Sequence, residues 1–324
     1  MDIPVPVQRG RAIAEGFTDR ELHGLEWRRV RRGAYLNAGR MAELSAEEKH
    51  LALARAVCQV SSPKAVVSHI SAAMAHGLSH WDVPTHRVHL TRDRSAGART
   101  SRQVVLHAAR IEADEVVRCG GLTMTSAART VVDLARTIPF ERAVVVGDSA
   151  LRLGAVTPAD LLEQLGRSKG RPGNSAARRA IASMDGRSES VGESRSRVAI
   201  RAAGLPNPEL QARITTPEGT CIARVDFLFP GLGVVGEFDG LMKYRAAHRG
   251  PRTAEDVVIA EKAREDALRA LGWLVVRWTW AELEAPNAPW LTRLTRAADL
   301  RTASRIGSWY PADLPHASQA QQPL

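Results

Sequence analysis

Cysteine is scarce in this chain of 324 residues, which has only Cys58, Cys119 and Cys221. The three are widely spaced and odd in number, so they predict neither a disulfide framework nor a zinc site with paired-cysteine spacing. Such usage is typical of proteins in the reducing cytoplasm. The sequence therefore argues against the class of small, disulfide-stabilised secreted domains.

Long hydrophobic runs are missing as well. No apolar stretch reaches the roughly 20 residues that a transmembrane helix needs. The first residues lack the charged-then-apolar pattern of a signal peptide, and no internal repeat is visible. We therefore expect a cytoplasmic protein that makes no membrane-spanning contact.

Acidic residues are fewer than basic ones. Lysine and arginine total 45 against 35 aspartates and glutamates, giving a net charge of +10 and a pI near 10.3. This excess favours a polyanionic partner, and in the absence of a lipid-anchor pattern DNA is the expected one. An arginine-rich proteome is the plain alternative. The length predicts two or three domains, and the hydrophobic content of 44% is ordinary for a globular chain.

Residues 223–243 predict a β-hairpin that carries carboxylates. Val225, Phe227 and Phe229 alternate with more polar neighbours, which is the period of a half-buried strand. A second run rich in β-branched residues follows at 233–239, after a turn with the sequence PGLG. The hairpin is the most informative part of the sequence.

The centre of this turn fixes the register of the hairpin. Placing it between Gly231 and Leu232 puts Asp226 opposite Glu237 and, on the same face, Arg224 opposite Asp239. Directly paired residues have Cβ atoms about 4.5–5.5 Å apart, so the two carboxylates repel each other. A hard divalent cation such as Mg²⁺ accepts carboxylate ligands and relieves this repulsion.

A structural role for these carboxylates is the alternative. Asp226 would then form a salt bridge with an arginine, and Glu237 would point to solvent at a sheet edge. The apolar residues Val234, Val235 and Phe238 instead predict an interior second strand, where unpaired charge is costly. We therefore favour a shared metal site.

The same residues resemble a known family. Asp226, then Glu237-Phe238-Asp239, then a helix at 254–271 and a strand at 273–280, resemble the PD-(D/E)XK nuclease fold. More narrowly, VDF, then GEFDG with KY following, then EKAREDALRALGWLVVRWTWAEL, resemble the family called domain of unknown function 559, relatives of the very-short-patch mismatch endonucleases. The similarity covers about residues 189–283.

This resemblance implies phosphodiester hydrolysis that depends on Mg²⁺ or Mn²⁺. Asp226 and Glu237 would be metal ligands, with the backbone carbonyl of Phe238 beside them. Glu193, on a helix expected to begin near Ser190, matches the acidic residue that some members carry on their first core helix.

One position departs from the family pattern. Where the motif usually has lysine, this chain has Asp239. Lys243 or Lys262 is the expected replacement for the cation that stabilises developing charge in the reaction. The departure leaves open the alternative that the domain has the nuclease fold but little nuclease activity.

The first 45 residues predict a short helix followed by a basic hairpin. Thr18 and Glu21 form a capping-box pattern, and Gly33 marks the bend of the hairpin. This segment resembles the N-terminal winged helix of AbiEi-like antitoxins of type IV toxin–antitoxin systems, which implies DNA binding and autoregulation. Its arginines are expected to neutralise phosphates without reading bases: Arg28, Arg29, Arg31 and Arg32. A solvated charged hairpin is the alternative.

The region between the two resemblances predicts mixed helices and strands. Seven of the ten histidines lie between His50 and His107, but no spacing matches a known ligand pattern, so they are expected in the core or on the surface. Residues 167–187 predict a basic linker, because apolar residues are few and SKGRPGNS lies at its centre. Arg171, Arg178 and Arg179 make this linker a candidate DNA-tracking surface.

The sequence therefore predicts a multidomain α/β protein. Its expected parts are a winged helix at 1–45, a mixed α/β antitoxin-like connector at 46–166, a linker at 167–187, a restriction-endonuclease-like PD-(D/E)XK domain at 188–300 and a disordered tail at 301–324. The expected function is metal-dependent DNA cleavage in defence or repair. The alternative is a DNA-binding antitoxin or autorepressor with a cognate toxin partner. The sequence does not fix the oligomeric state.

Overall fold

The computed structural model describes residues 4–62, 64–93, 97–240, 254–299 and 306–312. The chain divides into two compact units, Met1–Gly186 and Arg187–Leu324. Both contain helices and strands, so the protein is a multidomain mixed α/β protein.

The first unit begins with a small three-stranded sheet in the order β1-β3-β2. Its elements are β1 (Val7–Gln8), α1 (Arg9–Ala14), α2 (Asp19–Leu22), β2 (Trp27–Arg31), β3 (Ala34–Asn37) and α3 (Ala38–Glu43). The predicted capping box is confirmed, because the Thr18 hydroxyl accepts from the Glu21 N–H and the Glu21 carboxylate accepts from the Thr18 N–H. Gly33 turns the β2–β3 hairpin with φ of +77°.

A six-stranded mixed sheet follows in the same unit, in the order β6-β7-β5-β4-β9-β8. The segment contains α4 (Ala46–Cys58), β4 (Val66–Val67), α5 (His69–Ala75), β5 (Val88–Arg92), β6 (Arg99–Thr100), β7 (Val104–Ala108), β8 (Val116–Cys119) and β9 (Leu122–Thr125). The central pairs β4–β9 and β5–β7 are parallel, and the other pairs are antiparallel.

Four helices complete the first unit: α6 (Ala127–Thr137), α7 (Phe140–Arg152), α8 (Pro158–Arg167) and α9 (Asn174–Ile181). Helix α6 packs against the other three. Its Arg129 is fully buried between Glu115 and Asp133, with both guanidinium–carboxylate distances at 2.7 Å. Arg136 binds the other oxygen of Asp133 at 2.9 Å, so this buried carboxylate serves two arginines.

The prediction of a linker at 167–187 was wrong. The segment contains α9, whose Ala177 and Ala180 are buried against the neighbouring helices. Gly173, with φ of +84°, begins this helix where an added Cβ would lie 2.2 Å from the Arg136 carbonyl oxygen. The small residues that gave the segment its linker-like composition are those that permit close packing.

The second unit is a five-stranded sheet with helices on both faces, in the order β13-β12-β11-β10-β14. Its elements are α10 (Val191–Ala202), β10 (Glu209–Thr215), β11 (Cys221–Phe229), β12 (Val234–Asp239), α11 (Ala254–Ala270), β13 (Leu274–Thr279), α12 (Trp280–Glu284), α13 (Pro289–Asp299) and β14 (Ser308–Tyr310). Strands β12 and β13 are parallel, and the remaining pairs are antiparallel.

Two apolar clusters pack against this sheet, one on each face. On one side, residues of α10 and α13 pack with Phe227, Phe238 and Trp278. On the other, Leu268 of α11 packs with Val235. Helix α10 approaches β12 so closely that a Cβ at Gly192 would lie 1.9 Å from the Phe238 ring.

The prediction of a disordered tail was wrong for the part that is described. Residues Ser308–Tyr310 form β14, which pairs with β10 at the sheet edge through Arg213 and Tyr310. The predicted site residue Lys243 lies outside the described residues. None of the helices in the described ranges combines the length and apolar character needed to cross a bilayer.

Candidate active site

The candidate site lies where β11 and β12 separate. The register that the turn predicts is confirmed for three pairs, Phe227↔Gly236, Leu228↔Val235 and Phe229↔Val234, but the pairing ends before the predicted Asp226–Glu237 pair. Beyond them, the Phe238 N–H donates to the Asp226 carboxylate at 2.9 Å. The Asp226 side chain thus holds the second strand at the point where the paired register ends.

Glu193 is the carboxylate that is electrostatically coupled most strongly to Asp226. It lies in the first turn of α10, where the Ser190 hydroxyl accepts from the Glu193 N–H at 3.2 Å and donates to the Glu193 carboxylate at 2.7 Å. The Glu189 N–H adds a hydrogen bond at 2.8 Å. Burial raises the pKa of Glu193. Burial, and then the charge of Glu193, raise the pKa of Asp226 to about 6.

No arginine or lysine among the described residues forms an ion pair with Glu193 or Asp226. Arg224 interacts electrostatically with both carboxylates, but its ion pair is with Glu189, at 2.7 Å. Two buried carboxylates without an ion-paired cation need a proton or a metal ion. Their donor chemistry fits a hard divalent cation such as Mg²⁺.

Gln211 is a site residue that the sequence reasoning missed. It is 4% exposed, and its amide donates to Glu193 at 2.9 Å. Its φ of +56° lies in the left-handed region, which is uncommon for a residue within a strand. The only signal in the sequence is a polar side chain between the apolar residues Leu210 and Ala212.

Glu237, the second predicted metal ligand, is buried but neutralised. Its carboxylate lies 2.8 Å from Arg264 and 3.2 Å from Arg277. Arg277 also binds Glu261 at 2.7 Å. Burial raises the pKa of Glu237, and the two arginines oppose that effect. Among the described residues, Asp226 therefore has no arginine in an ion pair, whereas Glu237 has two.

Asp226 interacts electrostatically with both Glu193 and Glu237, but the three carboxylates do not form a compact ligand set. Among the described residues, Glu193, Asp226 and Glu237 do not bring one oxygen each within 4.8 Å of the others. A shared ion would require Glu237 to leave its arginines. The described part of the site therefore has two components, a carboxylate pair without an ion-paired arginine or lysine and an arginine-bound glutamate.

The remaining predicted residues take different positions. Asp239 is half-buried and pairs with Thr279 of β13. The Phe238 carbonyl accepts from the Gly240 N–H at 3.2 Å. Lys262 is exposed on α11, and the cation on that helix that contacts Glu237 is Arg264. The helix was predicted, but not which of its basic residues faces the sheet.

The predicted DNA-binding arginines also differ from one another. Arg28, Arg29 and Arg32 of the β2–β3 hairpin are exposed. Arg31 is half-buried and donates to the Ala56 carbonyl at 3.3 Å.

The arginines of the segment predicted as a linker also differ in exposure. Arg178 and Arg179 are exposed on α9. Arg171 donates to the Arg110 carbonyl at 3.2 Å, and burial lowers its pKa. Arg31 and Arg171 therefore have packing roles in addition to charge.

Comparison with known proteins found relatives whose names state no activity. No protein-family model matches the chain. "Uncharacterized protein MT2308" of Mycobacterium tuberculosis strain CDC 1551 / Oshkosh and "Uncharacterized protein Rv2248" of strain ATCC 25618 / H37Rv are each 35% identical to it over 159 residues. The match covers 49% of this chain and 55% of each relative, so the chain spans about half the length of the curated relatives it matches.

Proposed function

We propose that the second unit is an endodeoxyribonuclease domain that uses Mg²⁺ or Mn²⁺ to hydrolyse phosphodiester bonds. The observation that carries this proposal is the Glu193–Asp226 pair, two buried carboxylates with no arginine or lysine ion-paired to them among the described residues. A carboxyl group with a strongly raised pKa and a like-charged neighbour is a functional-site candidate.

The chain's own residues suit a metal-assisted hydrolysis. Asp226 and Glu193 would hold the ion, with Glu237 joining them when it leaves Arg264. A bound Mg²⁺ lowers the pKa of a coordinated water and polarises a phosphate. Arg264 is the described residue best placed to stabilise negative charge there, in the role that the sequence assigned to Lys243 or Lys262.

The order of elements supports the same proposal. Helix α10, the strands β10 to β12, helix α11 and the parallel strand β13 follow the order that the resemblance to PD-(D/E)XK nucleases implied. The net charge of +10 favours a nucleic-acid substrate.

Calorimetric titration of Mn²⁺ into the full-length protein tests the metal site directly. We expect binding to the wild type, in the presence of a short DNA duplex if phosphates complete the site. Asp226→Asn should abolish it, and Glu193→Gln should weaken it. Glu218→Gln, which alters an exposed carboxylate in the β10–β11 turn, is the matched control and should bind normally. Unchanged binding by Asp226→Asn would refute the proposal.

Cleavage of supercoiled plasmid in Mg²⁺ or Mn²⁺ tests the reaction. Asp226→Asn should be inactive. Arg264→Ala should keep Mn²⁺ affinity and lose cleavage, and Arg264→Lys should restore part of it. If both Arg264 variants cleave as well as the wild type, Arg264 has no part in charge stabilisation.

A second candidate is a DNA-binding antitoxin or autorepressor with a weakly active nuclease fold. Two observations favour it: Glu237 is already neutralised by arginines, and Asp239 stands where the family motif usually has lysine. Exposed Arg28, Arg29 and Arg32 supply a DNA-binding surface in this case. Tight binding to DNA upstream of its own gene, with neither Mn²⁺ binding nor cleavage, would favour this candidate, and co-purification of a toxin would identify the partner.

A further inference from the structure

Three histidines of the first unit meet at one place, which their spacing in the sequence did not predict. His69 begins α5, while His89 lies on β5 and His107 on β7. One ligand atom from each lies within 4.8 Å of the others. The spacing of the histidines along the chain gave no sign of this set, which we call the His triad.

The parallel pairing of β5 and β7 explains the contact. His107 pairs with Thr91, two residues beyond His89, so both rings lie along the same pair of strands. His107 Nε2 and His89 Nδ1 are 3.1 Å apart. Two nitrogens that bind one tetrahedral metal at 2.0–2.1 Å are about 3.3–3.4 Å apart, which is close to this distance.

His69 is held by its own surroundings. It is 5% exposed and has φ of +50°, a left-handed conformation in which histidine is enriched. Its Nδ1 contacts the Ser68 hydroxyl at 3.0 Å, and Thr91 donates to the same hydroxyl at 2.7 Å. A hydrogen bond donated by Nδ1 leaves the lone pair of Nε2 available, which is how second-shell partners orient metal-binding histidines.

We propose that the His triad is a binding site for a divalent transition metal of the zinc class, with its fourth position open to water or an anion. Three neutral imidazoles with one open position are a known zinc arrangement. This site is separate from the carboxylates of the second unit, and it does not depend on the nuclease proposal.

The charges around the triad are compatible with a cation. Arg129 and Arg136 are close enough to His69 to affect it electrostatically, but both are ion-paired to Asp133, and Arg129 also to Glu115.

Binding requires one adjustment of the rings. His69 and His107 are stacked, with ring centroids 3.7 Å apart and planes 15° apart. Ligand rings point their nitrogen edges at a metal, so this stack has to tilt. His107 is half-buried and can rotate, whereas His69 is enclosed.

Titration with Co²⁺, followed by visible absorption, tests this site in the full-length protein. With excess Mg²⁺ present to occupy carboxylate sites, we expect the wild type to give the intense bands of tetrahedral cobalt, and Zn²⁺ to remove them. His107→Ala and His89→Ala should each lower the affinity by more than the roughly 10–100-fold that loss of a second-shell partner costs.

The controls separate the triad from other sites and from misfolding. His86→Ala removes an exposed histidine of the same region and should leave Co²⁺ binding unchanged. Asp226→Asn should also leave it unchanged. Far-UV circular dichroism establishes that each triad variant is folded, and His107→Gln repeats the test with a larger side chain. Absence of tetrahedral bands in the wild type, or bands of equal strength in folded triad variants, would overturn the proposal.

Discussion

The carboxylate of Asp226 accepts the N–H of Phe238 at 2.9 Å, so a side chain binds the neighbouring strand next to the last backbone pair of the hairpin. The contact fixes Asp226 at the opening between two strands, close to Glu193. It also links the stability of the second unit to the ionisation of a candidate catalytic group.

The first prediction concerns this ionisation. The folded-state pKa of Asp226 is raised to about 6 from 3.8, so the folded protein binds the proton more tightly than the unfolded chain between those values. Stability contributed by this group is therefore present at low pH and lost as the pH rises through about 4 to 6. The loss is on the order of 3 kcal/mol, since one unit of pKa corresponds to about 1.4 kcal/mol.

Above pH 6, Asp226→Asn should restore much of the free energy of unfolding that the wild type loses when Asp226 ionises. Asparagine keeps an acceptor for the Phe238 N–H without the charge. Urea unfolding followed by tryptophan fluorescence suits the measurement, because five of the seven tryptophans lie in the second unit. The variant should be more stable than the wild type at pH 7.5 and similar at pH 4. Equal stability at both values would contradict the raised pKa.

The second prediction concerns the close approach of α10 to β12. Gly192→Ala places a methyl group 1.9 Å from the Phe238 ring, and such overpacking costs typically 1–3 kcal/mol. Gly166→Ala is the matched control, because it adds the same methyl group to exposed α8, where nothing lies within 4 Å. That control should be stabilising by roughly 0.5–1 kcal/mol. Thermal unfolding of both variants measures the contrast.

The third prediction concerns the buried ion pairs of the first unit. Arg129→Ala removes the closest ion-pair partner of buried Glu115 and leaves Asp133 with Arg136 alone, and breaking a buried pair in this way costs about 3–5 kcal/mol. Arg11→Ala removes an exposed partner of exposed Glu15 and should cost at most about 1 kcal/mol. Denaturation followed by far-UV circular dichroism compares the two. A similar loss of folding stability in the two variants would mean that the buried network relaxes or admits water.

The fourth prediction concerns DNA affinity. Replacing exposed Arg28, Arg29 and Arg32 with alanine should weaken binding to any duplex and reduce the salt dependence, by about 2–3 units in the slope of log K against log salt. Arg31→Ala should chiefly lower stability, because this side chain contacts the Ala56 carbonyl. Fluorescence anisotropy at several salt concentrations measures the slope. An unchanged slope in the triple variant would remove the hairpin from the DNA-binding surface.

Local features of the fold were predictable from the sequence. The turn and the alternating strands predicted the three backbone pairs of the β11–β12 hairpin, and Thr18 begins a helix as its capping box predicted. These features depend on residues close together in the chain, where turn chemistry and side-chain period determine the structure.

Contacts between distant segments were not predictable in the same way. The helical period of α11 did not reveal that Arg264 faces Glu237, and nothing local linked Arg277 to the same carboxylate. The His triad depends on the parallel pairing of β5 with β7, which one sequence does not specify. In α9, alanines that look like linker residues are small because neighbouring helices lie close.

Strand β14 pairs with one edge of the five-stranded sheet in the second unit. Ser308–Tyr310 pairs with β10, whose outer N–H and C=O groups would otherwise be available to a strand from another molecule. A chain shortened to end at Asp299 would keep every carboxylate of the candidate active site and still expose this edge. We therefore expect such a chain to self-associate at concentrations where the full-length protein does not, and sedimentation velocity at matched concentrations would detect the difference.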